Sequence, residues 1–148
     1  MCGILGFIAA EKYIKKFSYE RSHKILNLLT RRGPDACDSI YEKKGSYNIF
    51  LGHTRLSIQN LSSEFNQPYS SKPHKNVLIY NGEIYNYKNY LEYKNYTSDT
   101  KALYNLLSTS EKNLKKFDGI FSFAFWNENE KLLYLARDRF GVKPLYFY

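Results

Sequence analysis

The sequence predicts a single α+β domain, and three observations carry that expectation. The chain has 148 residues, the length of one domain, and a domain of this size buries roughly 68–70% of the surface its unfolded form exposes. Short apolar runs rich in β-branched and aromatic residues recur along it and read as strands. Two further segments show helical periodicity behind a capping residue and are set among those strands.

Taken in order, Ile4, Leu5, Phe7 and Ile8 read as a buried strand. Ser18 caps a helix running to about Leu29, with Glu20 in its first turn and Tyr19, His23, Leu26 and Leu29 along one side. His23 there reads as a packed or surface residue. The segment Arg31 to Asp35, RRGPD, ends the helix in a tight turn, because Gly33 and Pro34 break the pattern. A β-like run at 47–51 follows, then a break at Gly52 and a second apolar segment around Leu56 and Ile58, with Arg55 near a strand end.

The polar stretch holding Pro68 and Pro73 reads as a loop and leads to NVLIYNGEIYNY at 76–87, two strand-like runs around Asn81-Gly82. Asn-Gly between hydrophobic runs is the strongest short-range hairpin signal, so a plain turn is the first reading. The same pair can also present a side-chain amide and a glycine N–H, two donors of the kind an oxyanion hole uses. Ser98 or Asp99 caps the second helix, which carries Ala102, Leu103, Leu106 and Leu107. Three strands are expected at 120–126, 132–136 and 142–148, joined through residues 127–130 and a turn at Gly141. Pro144 marks the last as an edge or a bulge.

Composition narrows the class. Hydrophobic content of 43% with 24% charged residues describes a globular protein rather than a disordered one. No run of 18 apolar residues occurs, and Glu11, Lys12, Lys15 and Lys16 closely follow the first apolar stretch. Neither a membrane span nor a secretory leader is therefore expected, and the chain reads as soluble and cytoplasmic. Two cysteines cannot build a disulfide framework, so a reducing compartment is the simpler reading and Cys37 an ordinary free thiol. The net charge of +8 and the 15 tyrosines raise nucleic-acid binding. Against it, Lys15-Lys16, Arg31-Arg32, Lys43-Lys44 and Lys115-Lys116 fall in different elements as isolated pairs, the pattern of a solvated surface.

The candidate chemistry begins at Cys2. If Met1 is removed, one residue carries a thiol with an ordinary pKa of about 8.5 and a free α-amine with one of about 7.7–8.0. An N-terminal nucleophile then brings its own base, acting directly or through one water.

Eight stretches in a fixed order carry a resemblance: MCGILGF, RRGPD, LGHTRLSI, NQPY, LIYNGEIYNY, SDT, FDGIFSFAFW and ARDRFGVKPLY. Together they resemble the N-terminal glutaminase domain of glutamine-hydrolysing asparagine synthetase, over nearly the whole chain. The resemblance implies a class II glutamine amidotransferase with the four-layer αββα sandwich of N-terminal nucleophile hydrolases. It implies that Cys2 attacks the side-chain carboxamide of L-glutamine, releasing ammonia and leaving a thioester, with the Asn81 amide and the Gly82 N–H on the oxyanion. Arg55 is expected to bind the substrate α-carboxylate and Asp99 its α-ammonium. Leu56, Ile58 and Glu83 fall in the corresponding pocket segments, chiefly through their backbone. No metal or organic cofactor is expected for this half-reaction.

Three departures from the family pattern stand out. Lys101 replaces a carboxylate after SDT, removing a capping-box partner for Ser98. Gln59-Asn60 replaces an aliphatic residue and an aspartate after LSI. The third is C-terminal: residues 1–148 read as one amidotransferase domain without the family's last glutaminase strands, its synthetase domain or an SGGxDS-like loop. Asparagine synthesis is thus expected to need a separate ATP-dependent chain as ammonia acceptor. The alternatives are a catalytically idle relic that binds a partner and, behind it, a basic nucleic-acid binder.

Overall fold

The computed structural model describes residues 1–57, 62–71 and 75–148. In chain order the main elements are β1 (Gly3–Ala10), α1 (Tyr19–Asn27), β2 (Ala36–Lys44), β3 (Tyr47–Arg55), β4 (Val77–Ile84), α2 (Asp99–Thr109), β5 (Gly119–Asn127) and β6 (Leu132–Arg137). They form two antiparallel three-stranded sheets, ordered β1-β3-β2 and β4-β5-β6. No helix among the described residues is long and apolar enough to cross a membrane.

Alternation along the strands builds the layers. On β3, Ile49 and Leu51 face the second sheet and join Val77, Ile79, Ala124 and Trp126 in a core between the sheets. Phe50 and Thr54 lie on the opposite face: the Phe50 ring is 6.5 Å from that of Tyr19 in α1, and the Thr54 hydroxyl donates to Leu29 O just beyond that helix. At Gly52 a Cβ would sit 2.7 Å from the Leu26 side chain, so glycine lets the helix lie close. On the other side Leu78, Tyr80, Phe123 and Phe125 pack under Leu103, Tyr104 and Leu107 of α2. Each fully buried aliphatic or aromatic side chain here contributes roughly 1.5–3 kcal/mol.

Both helices start as their sequences require. Ser18 accepts from Arg21 N–H, and Ser98 accepts from Thr100 N–H. Where β5 turns into β6, Glu128 accepts from Trp126 Nε1 at 2.7 Å and pairs with Lys44 of β2 at 2.9 Å. Its backbone N–H donates to Asn76, whose amide donates in turn to Ser108 of α2. This clasp joins both sheets and one helix. Partial burial opposes the charge on Glu128, yet bonds from Lys131, Trp126 and Lys44 outweigh it and lower its pKa to about 2.

Several expectations change. Asn81-Gly82 is no hairpin turn: β4 runs unbroken through it, because residues 77–84 pair continuously with β5. Gly52 likewise sits inside β3, paired on both sides. The strand β2 has no counterpart in the sequence reading. Residues 142–148 form no strand. The Asp138 carboxylate gathers the N–H groups of Phe140, Val142 and Lys143, wrapping the chain around itself, and Pro144 has no N–H to extend a ladder. The first strand exists, but as a sheet edge whose Ile4, Leu5 and Phe7 are half-buried and Ile8 exposed.

Candidate functional site

The start of β1, the end of β3, the middle of β4, the start of α2 and the segment after β6 meet around one cavity of about 150 Å³. Cys2 is fixed there from several directions. Gly3 N–H donates to Thr54 Oγ1 at 3.1 Å, and Arg32 Nε donates to the Cys2 carbonyl at 3.3 Å. The thiol lies against the Leu56 backbone, with Leu56 N–H donating to Sγ at 3.4 Å.

The outer edge of β4 supplies the donors that line the same cavity. N–H groups of alternate strand residues point away from β5. Leu78 N–H donates to Tyr69 O, Tyr80 N–H to Gln67 Oε1 at 2.6 Å, and Ile84 N–H to Asp99 Oδ2 at 3.1 Å. Gly82 belongs to the same set, and among the described residues its N–H meets no protein acceptor; it lines the cavity instead. A Cβ at residue 82 would lie 2.2 Å from Ile120 O and 2.6 Å from Phe121 Cα, so only glycine allows β5 so close. Asn81, 5% exposed, also lines the cavity, and no hydrogen bond to its side chain occurs among the described residues.

Opposite charges stand at the two flanks. Arg55 ends β3, 8% exposed, with Nη1 donating to Ser62 O at 2.8 Å and to Asn66 Oδ1 at 2.5 Å. Asp99 opens α2 and accepts from Tyr80 Oη at 2.7 Å and from Thr100 N–H at 2.8 Å, besides Ile84 N–H. Burial raises the Asp99 pKa in spite of these donors. Burial, reinforced by the Asp99 charge, pushes the Tyr80 phenol well above its ordinary value and keeps it a donor. Behind the wall, His53 is 1% exposed and bonds Tyr80 O through Nε2 at 3.1 Å, which assigns the proton to Nε2. Burial lowers its pKa to about 4, so the ring is neutral near pH 7.

The structure thus brings Cys2, Arg55, Leu56, Asn81, Gly82, Glu83 and Asp99 to one cavity. Ile58 lies outside the described residues. The lining residues that had no role in the sequence reading include Tyr80, Gln67 and Lys143. Tyr80 was within reach, since it shares a strand face with Ile84 two positions on either side of Gly82. Gln67 lies in the NQPY stretch and Lys143 in ARDRFGVKPLY, so the signal was a motif match without a role attached, and both reach the cavity from segments distant from Cys2.

Comparison with known proteins decides the family. A family model described as the glutamine amidotransferase domain matches residues 1–148. The chain belongs to that family. This glutamine amidotransferase domain is 32% identical, over its full length, to a putative glutamine-hydrolyzing asparagine synthetase of Methanocaldococcus jannaschii, and covers 32% of that protein. It is 34% identical to glutamine-hydrolyzing asparagine synthetase 1 of Bacillus subtilis, over 99% of the chain and 24% of the relative. The amidase chry2 of Gibberella zeae is also 34% identical, over the same shares. The amidotransferase domain therefore spans a quarter to a third of these relatives' length.

Proposed function

We propose that this domain hydrolyses L-glutamine to glutamate and ammonia through a thioester on Cys2, with the four-layer fold of an N-terminal nucleophile hydrolase. The observation that supports this reading is the shared cavity, where a thiol, two N–H donors without an acceptor among the described residues and side chains of opposite charge converge. With Met1 removed, the Cys2 sulfur attacks the carboxamide carbon and its α-amine takes the thiol proton. The carbonyl oxygen, now negative, is met by the Asn81 amide and Gly82 N–H. The C–N bond breaks, the amine returns the proton to the leaving nitrogen, and ammonia departs. Water then cleaves the thioester to release glutamate.

Arg55 holds the substrate α-carboxylate and Asp99 its α-ammonium, while Leu56 and Glu83 contribute chiefly backbone. This half-reaction uses no metal or organic cofactor. The ammonia acceptor is assigned to an ATP-dependent synthetase activity, by analogy with the named relatives. Such a thiol chemistry suits a reducing cytoplasm.

The experiment is ammonia release from glutamine by chain whose Met1 status is read from intact mass. Cys2→Ala is expected to abolish release without lowering Tm, and Cys37→Ala to leave it nearly unchanged. Full activity in the Cys2 variant, or in chain that retains Met1 and so has its base locked in an amide, overturns the mechanism.

A further inference from the structure

The two halves of the proposed site ride on different sheets. Cys2 directly precedes β1 and Arg55 ends β3, both in the first sheet, whereas Asn81 and Gly82 lie within β4 of the second. Apolar packing between sheets is non-directional, and a reaction that needs a thiol aligned with its oxyanion donors calls for a directional tie as well. His53 supplies one. It lies on the face of β3 that carries Ile49 and Leu51 toward the second sheet, and its Nε2 donates to Tyr80 O at 3.1 Å. Both residues are buried, so water does not readily replace the bond.

The choice of acceptor matters. The carbonyl of Tyr80 and the N–H of Asn81 belong to one planar peptide unit, so the bond fixes the plane from which the Asn81 side chain starts. Among the described residues no hydrogen bond holds that side chain, and its direction is inherited from the backbone. On the other sheet His53 is the register partner of Ile4, two residues after Cys2, and stands two residues before Arg55. One side chain thus joins the strands that deliver the thiol and the arginine to the peptide that carries the oxyanion amide. Gln67 and Asp99 also hold Tyr80, at its N–H and its Oη, but from a loop and from α2. The buried Nδ1 of His53 meets no partner among the described residues, so Tyr80 O is the ring's tie.

We propose that His53 is a positioning residue of this site, whose Nε2–H bond to Tyr80 O registers the Cys2 sheet against the Asn81 and Gly82 sheet and so aims the oxyanion donors at the carbon under attack. The inference rests on the proposed Cys2 chemistry. Its effect falls on alignment in the transition state and not on the charged ends of the substrate, so its loss lowers kcat and spares KM.

The test uses Met1-free chain with His53→Met, His53→Asn and His53→Gln, each assayed well below its own Tm. Gln places an amide N–H where Nε2 stood, Asn reaches only as far as Nδ1, and Met has no donor. Ammonia release is read beside inhibition by the aldehyde analogue of glutamine, in which hydrogen replaces the amide nitrogen. The Cys2 thiol adds to that aldehyde: the sulfur–carbon bond forms, the carbon–oxygen π bond opens, and the thiol proton ends on the oxygen that the donors face. His53→Met and His53→Asn are expected to lower kcat by roughly 10–100-fold, to weaken aldehyde inhibition by a similar factor and to keep KM within about threefold. His53→Gln should restore kcat and inhibition to within about threefold of parental. On an Asn81→Ala background the loss caused by His53→Met should shrink, because the amide it positions is gone. Parental kcat and inhibition in the folded Met and Asn variants, or a Gln variant no better than Met, overturn the inference and leave the glutaminase reading standing. A parental chain that binds the aldehyde, loses that binding in His53→Met and yet releases no ammonia sinks the glutaminase reading and leaves the role of His53. A parental chain that neither binds the aldehyde nor releases ammonia overturns both.

Discussion

Replacing Tyr80 with Phe removes one oxygen from the site and leaves the ring in place. That oxygen donates to Asp99 at 2.7 Å, and the two residues are 3% and 8% exposed, so water does not readily substitute for it. After the change Asp99 Oδ2 keeps only Ile84 N–H, at 3.1 Å. A hydrogen bond to a charged group contributes about 1.5–3 kcal/mol, and a neutral pair about 0.5–1.5 kcal/mol. At neutral pH the loss should sit in the upper range, which for a chain of this length lowers Tm by about 4–10 °C. The Asp99 pKa, already raised by burial, should rise further. As pH falls through it the carboxyl protonates and the stability difference from the parental chain should narrow. Because Asp99 is assigned to the substrate α-ammonium, the glutamine KM should rise by tenfold or more while kcat changes little. The assays are thermal melts at several pH values and steady-state ammonia release. A Tm within 2 °C of parental together with an unchanged KM refutes both the energetic role of the hydroxyl and the assignment of Asp99.

Asn81→Ala removes a donor that meets no acceptor among the described residues, so its Tm should move little. Its kcat should fall by roughly 10²–10³ if the amide meets the oxyanion, and a parental rate returns Asn81 to a purely structural role. Gly82→Ala forces β4 and β5 apart, since the new Cβ would stand 2.2 Å from Ile120 O; a loss of more than about 2 kcal/mol in urea unfolding is expected, and a neutral change contradicts the register. His53 titrates at about 4 folded against 6.5 unfolded, so its contribution to stability is complete above pH 6.5 and is lost as pH falls through 4. It amounts to at most roughly 3 kcal/mol. His53→Gln, whose amide can still donate to Tyr80 O, should flatten that limb in urea titrations, and an unchanged slope would point to another group.

The parts of the fold that the sequence made legible are those decided locally. Ser18 and Ser98 cap the expected helices, and Arg55 stands at a strand end, because a cap or a strand terminus needs only its neighbours. Asn81-Gly82 misled for the opposite reason. Its turn signal is local, whereas its straight conformation is imposed by pairing with β5, some forty residues on. The strand β2 escaped notice because Asp38, Glu42 and Lys43 face solvent on a sheet edge and leave little apolar periodicity. Cys2, Arg55, Asn81, Gly82 and Asp99, each named from a family-like stretch, line one cavity. Gln67 and Lys143 lie in two of the matching stretches, NQPY and ARDRFGVKPLY, yet were given no role, since each becomes a cavity residue only through a contact across the fold, with Tyr80 and with Asp138.

An open strand edge ordinarily invites a second chain to add itself, and proteins blunt such edges with charge, proline or a covering segment. The outer edge of β4 is closed by a different device. Three of its outward N–H groups are already taken, by Tyr69 O, Gln67 and Asp99. The fourth, at Gly82, opens into a concave cavity that an incoming extended strand cannot follow. A visiting chain would find one bond where a ladder needs several in a row. The arrangement that leaves a single N–H opening into the cavity thus also guards the sheet against polymerisation.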